Sequence, residues 1–178
     1  TKLFVDPVMG DWGKAYSYCD EALLHGFQAL CAQADLILPN RTEAAMLLGQ
    51  PYSKAPDTPQ GLLSQLKSLL EAGARSAVIT GGNSQPGYTG AVFLGPGMSA
   101  PQASLTRQVE GSWPGTGDLF AAALEAALMR GKPLHAAVDT AVRFIVKCLE
   151  GADSSPKATR FGAPFEQALP WLSENLSG

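Results

Sequence analysis

Leu36-Ile37-Leu38-Pro39-Asn40-Arg41-Thr42-Glu43 passes from one kind of secondary structure to another within a few residues. Three apolar residues closed by a proline suit a short buried strand. Thr42 can cap a helix, and Glu43 to Leu48 then reads as a short one stopped by Gly49. The same alternation extends in both directions. Upstream, Leu3 to Val5 is a first strand, and Asp20 caps a helix over Glu21 to Gln33 with Leu23, Leu24, Phe27, Leu30 and Cys31 on one face. Downstream, Thr58-Pro59 opens a helix striped by Leu62, Leu63, Leu66, Leu69 and Leu70 and ended by Gly73. Ala77 to Thr80 is a third strand, Gly81 to Gly87 a long turn, and two further strands fall near Ala91 to Leu94 and Leu105 to Val109. Helices occupy about Leu119 to Arg130, Pro133 to Leu149 (stopped by Gly151) and Pro164 to Asn175. Strands spaced by helices predict an α/β fold with a mostly parallel sheet. Such sheets bind ligands at the carboxyl ends of their strands.

The 178 residues suit one domain or a large part of one, and 46% hydrophobic content supports a sizeable core. Only 16% of residues are charged and the net charge is −3, without a Lys/Arg run, which argues against a nucleic-acid partner. An anionic ligand then needs a local device to hold it. Cys19, Cys31 and Cys148 are too widely spaced for a CxxC pair and odd in number, so reduced thiols and a cytoplasmic setting are expected. His25 and His135 stand alone, without metal-ligand spacing. No apolar run is long enough to cross a membrane, and no signal peptide opens the chain. A chain that opens inside a central strand leads us to expect a preceding N-terminal portion, so residues 1–178 are read as a single domain incomplete at that end.

Four motifs fall at strand ends or helix starts. Gly115-Thr116-Gly117-Asp118 precedes an apolar helix. Glycines let backbone N–H groups converge, and a helix N-terminus adds partial positive charge, so the motif can form an anion hole. Asp118 beside it can take a proton from an attacking hydroxyl. The same residues also make an ordinary helix start. Asp6-Pro7-Val8-Met9-Gly10-Asp11 sets two carboxylates at and beyond a strand end, hard ligands for Mg²⁺ or a monovalent cation, or simply a turn. Asn40 and Glu43 flank a helix start, where Glu43 can hold a hydrated Mg²⁺ and the pair can equally form a capping box. Thr80-Gly81-Gly82 ends a strand with a hydroxyl and room for a phosphate.

In their joint order, DPVMGD, PNRTEA, VITGG and GTGDLFAA resemble the pyridoxal kinase branch of the ribokinase-like kinases, from about Lys2 to Gly151. The resemblance implies the C-terminal portion of a three-layer α/β/α fold with a mostly parallel central sheet. It implies ATP-dependent phosphorylation of the hydroxymethyl group of pyridoxal, pyridoxine or pyridoxamine in B6 salvage, by a homodimer. Asp118 would be the catalytic base, with Gly115, Thr116 and Gly117 as the anion hole. Asp6, Asn40, Glu43, Thr80 and Gly81 would bind ATP. Glu43 and Asp11 would serve Mg²⁺ or a monovalent cation such as K⁺, and Val109 to Trp113 would lie near the nucleotide. Leu38 departs from relatives that carry a small or hydroxyl residue there, which leaves only its carbonyl for a metal. The alternatives are a hydroxymethylpyrimidine kinase of thiamin synthesis, a sugar kinase, and a non-catalytic nucleotide-binding fragment.

Overall fold

The computed structural model describes residues 1–52, 58–81, 87–109, 111, 113–150, 152, 155 and 159–176. Gly82 of the third strand's turn, Gly151, and Glu110 and Ser112 of the stretch before the anion hole lie outside the described residues. Two compact units, Thr1–Ala103 and Ser104–Gly178, divide the chain.

The first unit is an α/β layer. Strands β1 (Phe4–Val5), β4 (Leu36–Ile37) and β5 (Ala77–Thr80) run parallel, and β6 (Tyr88–Leu94) joins β5 antiparallel. The sheet is therefore mixed but mostly parallel in this unit, as the alternation predicted. Ala77, Val78 and Ile79 are fully buried, as expected of a strand covered on both faces. Between β1 and β4 lies a small antiparallel ribbon that no sequence pattern announced, β2 (Gly10–Asp11) with β3 (Lys14–Ala15). Its turn is Trp12-Gly13, with φ of 53° and 76°. Positive φ at both central residues matches the twist of the flanking strands.

Three helices complete the unit. Helix α1 (Glu21–Cys31) starts at Asp20, whose Oδ1 accepts from Leu23 N at 2.8 Å. Helix α3 (Pro59–Glu71) starts at Thr58, whose Oγ1 accepts from Gly61 N at 3.0 Å, with Pro59 in the first turn where its missing N–H costs nothing. Helix α2 (Arg41–Leu47) starts two residues before the expected Glu43, and its cap is Asn40, not Thr42. Leu62, Leu66 and Leu69 are buried against a core containing Ile37, Ala77 and Ile79.

The second unit is helical. Helix α4 (Thr116–Met129) and α5 (Leu134–Leu149) pack on each other, with Ala123, Leu124, Ala127, Ala137, Val138 and Ala141 essentially inaccessible. The expected terminal helix divides into a 3₁₀ turn (Glu166–Ala168) and α6 (Leu169–Leu176). Strand β7 (Gln102–Arg107) crosses the boundary between the units. No helix among the described residues is long and apolar enough to cross a membrane.

Candidate active site

In the first unit, strand register gathers the polar residues. Leu38 N donates to Val5 O at 2.9 Å, Thr80 N donates to Pro39 O at 3.0 Å, and Asn40 bridges Thr80. Asp6, Asn40 and Thr80 therefore emerge side by side at the carboxyl edge of β1, β4 and β5. Gly81 comes next, with φ of 69° and open space where a Cβ would stand. A left-handed backbone at a position with room for a ligand suits glycine.

Asn40 uses its side chain twice over. Its Oδ1 accepts from Thr42 N (2.8 Å) and Glu43 N (3.0 Å), which caps α2. Its Nδ2 donates to Gly10 O at 2.8 Å. Glu43 completes a capping box, its Oε2 accepting from Asn40 N at 2.7 Å. Its Oε1 accepts from Met9 N at 3.1 Å, and the Gly10 amide adds a third bond. Glu43 is only 3% exposed. Burial pushes its carboxyl up to about 7, the nearby Asp6 charge adds to the rise, and the three amides oppose it.

The capping-box expectation is met, and the bonds reach further, to the loop after β1. The carboxylate whose charge Glu43 feels is Asp6. Asp11 sits exposed on the ribbon, where its Oδ1 accepts from Trp12 N at 2.8 Å. Among the described residues no group of three or more His, Cys, Asp or Glu is gathered for a metal. A cation held by one or two carboxylates and its own waters, as Mg²⁺ favours, is compatible with Asp6 and Glu43.

Sequence reasoning missed Thr42 and Tyr52. Thr42 is 3% exposed, and its Oγ1 accepts from Gly13 N at 2.9 Å. The Tyr52 ring lies against Gly13, and the Arg41 guanidinium sits 5.5 Å from that ring's centroid. A capping signature marks Thr42 only as a helix start. Nothing in the pattern around Tyr52 marks it at all.

In the second unit, α4 begins three residues earlier than the expected Leu119. Gly115 is its cap, with φ of 82° and no side-chain cap bond. Thr116 is locked into the preceding turn, its hydroxyl donating to Trp113 O at 3.0 Å. Among the described residues no acceptor meets the amides of Gly117 and Asp118, and a Cβ at Gly115 or Gly117 would meet nothing within 4 Å. Gly115, Gly117 and Asp118 are exposed. The first turn thus offers open amides and a carboxylate to solvent, as an anion hole with an adjacent base requires. The turn is fixed from behind by Gly162, whose φ of 85° brings its backbone so close to Pro114 O that a Cβ would stand 2.9 Å away. Cys31 and Cys148 are buried, and burial pushes both thiols up to about 11, which leaves them inert.

Known proteins resemble this chain in sequence and fold. The phosphomethylpyrimidine kinase family matches residues 1–163. The pyridoxine/pyridoxal/pyridoxamine kinase of Bordetella avium is 33% identical over 177 residues, covering 96% of this chain and 58% of that protein. The hydroxymethylpyrimidine/phosphomethylpyrimidine kinase of Bacillus subtilis is 29% identical over 157 residues, covering 84% and 54%. The crystal structure of pyridoxal kinase from Lactobacillus plantarum superimposes with a TM-score of 0.83 at 32% identity, covering 99% of this chain and 62% of that one. The chain therefore spans less than two thirds of the length of these relatives. With the family matched over nearly its whole length, and the α/β fold it implies observed, the chain belongs to the phosphomethylpyrimidine kinase family.

Proposed function

We propose that this chain carries the phosphate-binding and catalytic part of an ATP-dependent kinase whose acceptor is the hydroxymethyl group of a B6 vitamer. The observation that carries the proposal is the start of α4: two glycines without Cβ crowding, open first-turn amides, and Asp118 exposed beside them. Transfer of a phosphoryl group asks mainly for positioning and for stabilisation of negative charge. The amides of Gly115 and Gly117 supply that stabilisation, joined by that of Thr116 once it turns from Trp113 O, to which it donates at 3.4 Å. Asp118 accepts the proton from the acceptor hydroxyl as its oxygen bonds to phosphorus and the bridging oxygen leaves with ADP. Asp6, Asn40, Glu43, Thr80 and Gly81 serve the nucleotide phosphates. Glu43, with Asp11 or Asp6, serves Mg²⁺, whose chemistry is to neutralise charge on the phosphates. A K⁺ ion, a homodimer and a cytoplasmic location complete the proposal.

Pyridoxal is favoured over hydroxymethylpyrimidine because Asp118 stands where many pyrimidine kinases carry a cysteine, although some retain aspartate, and because the Bordetella relative is the more similar of the two named. Product formation from pyridoxal, pyridoxamine, hydroxymethylpyrimidine and ribose in parallel tests the choice. Asp118→Asn is expected to lower turnover by about 10²-fold or more while MgATP still binds. A variant with unchanged turnover refutes the assignment of Asp118. The absence of MgATP binding in the unaltered chain refutes the kinase reading itself.

A further inference from the structure

The ribbon after β1 is tied to the start of α2 at its base and at its tip, and the ties are not equivalent. Glu43 holds the Met9 and Gly10 amides, and Asn40 Nδ2 holds Gly10 O; these bonds grip the ribbon's base. A single bond grips its tip, where Gly13 N donates to Thr42 Oγ1 at 2.9 Å. That tip needs holding. Trp12 is the one non-glycine residue with positive φ among those described, and it is 76% exposed, so burial of its indole does not offset the backbone strain. The Tyr52 ring also leaves room only for a hydrogen at Gly13: a Cβ would stand 2.5 Å from its ring carbon. The turn is thus located by one hydroxyl and one ring. Asp11, whose carboxylate accepts from Trp12 N, is carried by the same turn.

We propose that Thr42 is a positioning residue of the nucleotide site: its hydroxyl fixes the Trp12-Gly13 turn, and through it Asp11, beside the start of α2. It touches no ligand. It acts on the segment next to Asn40 and Glu43, so the proposal rests on the nucleotide-binding reading given above. Valine has threonine's shape without the hydroxyl, and serine has the hydroxyl without the methyl, so Thr42→Val and Thr42→Ser separate the bond from the packing.

The test compares both variants with the unaltered chain, measuring amide exchange at Gly13 by NMR and the Kd for MgATP by calorimetry. Thr42→Val is expected to speed Gly13 exchange about fivefold, the loss of one ordinary hydrogen bond, and to weaken MgATP by about threefold or more. Thr42→Ser is expected to keep both within about twofold. Amides of Val78 and Ile79 in β5 report whether the unit as a whole is loosened. If they also speed up, Tyr52→Leu, which removes the ring contact at Gly13, must give the same paired change at Gly13 and in MgATP affinity.

Unchanged Gly13 exchange in Thr42→Val overturns the proposal. So does faster exchange with unaltered MgATP affinity, which leaves the kinase reading intact. An unaltered chain that binds no MgATP sinks that reading and this proposal together, whereas the exchange data then still report the turn's tether.

Discussion

Replacing Asn40 by aspartate separates two jobs that one side chain performs. As an N-cap, aspartate is as good as asparagine, and its charge at a helix N-terminus adds about 0.3–1 kcal/mol. A residue that only capped α2 would therefore tolerate Asn40→Asp or gain from it. The Nδ2 bond to Gly10 O at 2.8 Å predicts the opposite. Aspartate loses that bond, about 1 kcal/mol, and sets an anionic oxygen against a carbonyl oxygen, an unsatisfied contact of about 1–3 kcal/mol. It also adds charge next to Glu43, whose ionisation the Asp6 charge already disfavours. After the favourable helix-dipole effect is subtracted, the net loss is about 1–4 kcal/mol. Asn40→Ser, which keeps the cap and drops the clamp without adding charge, should lose about 1 kcal/mol, and Asn40→Ala about 2. Urea unfolding at pH 8, where the introduced carboxylate is ionised, gives the three midpoints, and equal m-values confirm that they report stability alone. An Asn40→Asp midpoint at or above that of the unaltered chain refutes the clamp.

Glu43 and two glycines give further expectations. The Glu43 carboxyl is raised from 4.5 to about 7 by burial and then by Asp6. As pH rises through that window the unfolded chain releases the proton while the folded chain keeps it, so stability falls, by at most about 3 kcal/mol. Glu43→Gln should remove this component; identical pH profiles for the two proteins, tracked by urea unfolding from about pH 4.5 to 7.5, would show the carboxyl to be unperturbed. Gly162→Ala should cost more than Gly115→Ala. Both impose the left-handed penalty of about 1–2 kcal/mol, but only at 162 does the new Cβ press on Pro114 O, whereas at 115 it meets open space. Thermal unfolding ranks the two, and the reverse order removes the case for Gly162 as the rear support of the anion hole.

The layered architecture was legible because strand and helix periods alternate and because Asp20, Thr58 and Pro59 are strong local signals. Other features were not. The start of α4 was misplaced because its cap is a glycine, which contributes geometry and no side-chain bond. The ribbon at Gly10–Ala15 has no alternating apolar pattern, and it is held by residues of α2 that are distant in sequence. The final helix breaks at Leu169 because Pro170 is tolerated in a first turn and nowhere deeper. The direction of β6 could have been foreseen. The span 81–87 is shorter than the dozen or so residues a parallel crossover needs, which forces β6 antiparallel to β5.

Site residues were easier to find than their tasks. Residue type and spacing singled out Asn40 and Glu43 as candidates for the phosphates and the metal, and equally as a capping box. The structure gives the pair a task that neither pattern contains, since both side chains reach back some thirty residues to Met9 and Gly10. These tasks are compatible. A carboxylate offers about four lone-pair directions, and three amides leave one for a cation or its water. A bound cation would also relieve the repulsion between Asp6 and Glu43, so that the ionised carboxylate suited to the amides becomes the favoured form. The buried acid that is a burden in the bare fold is then the group through which ligand binding and the position of the β1 loop are joined.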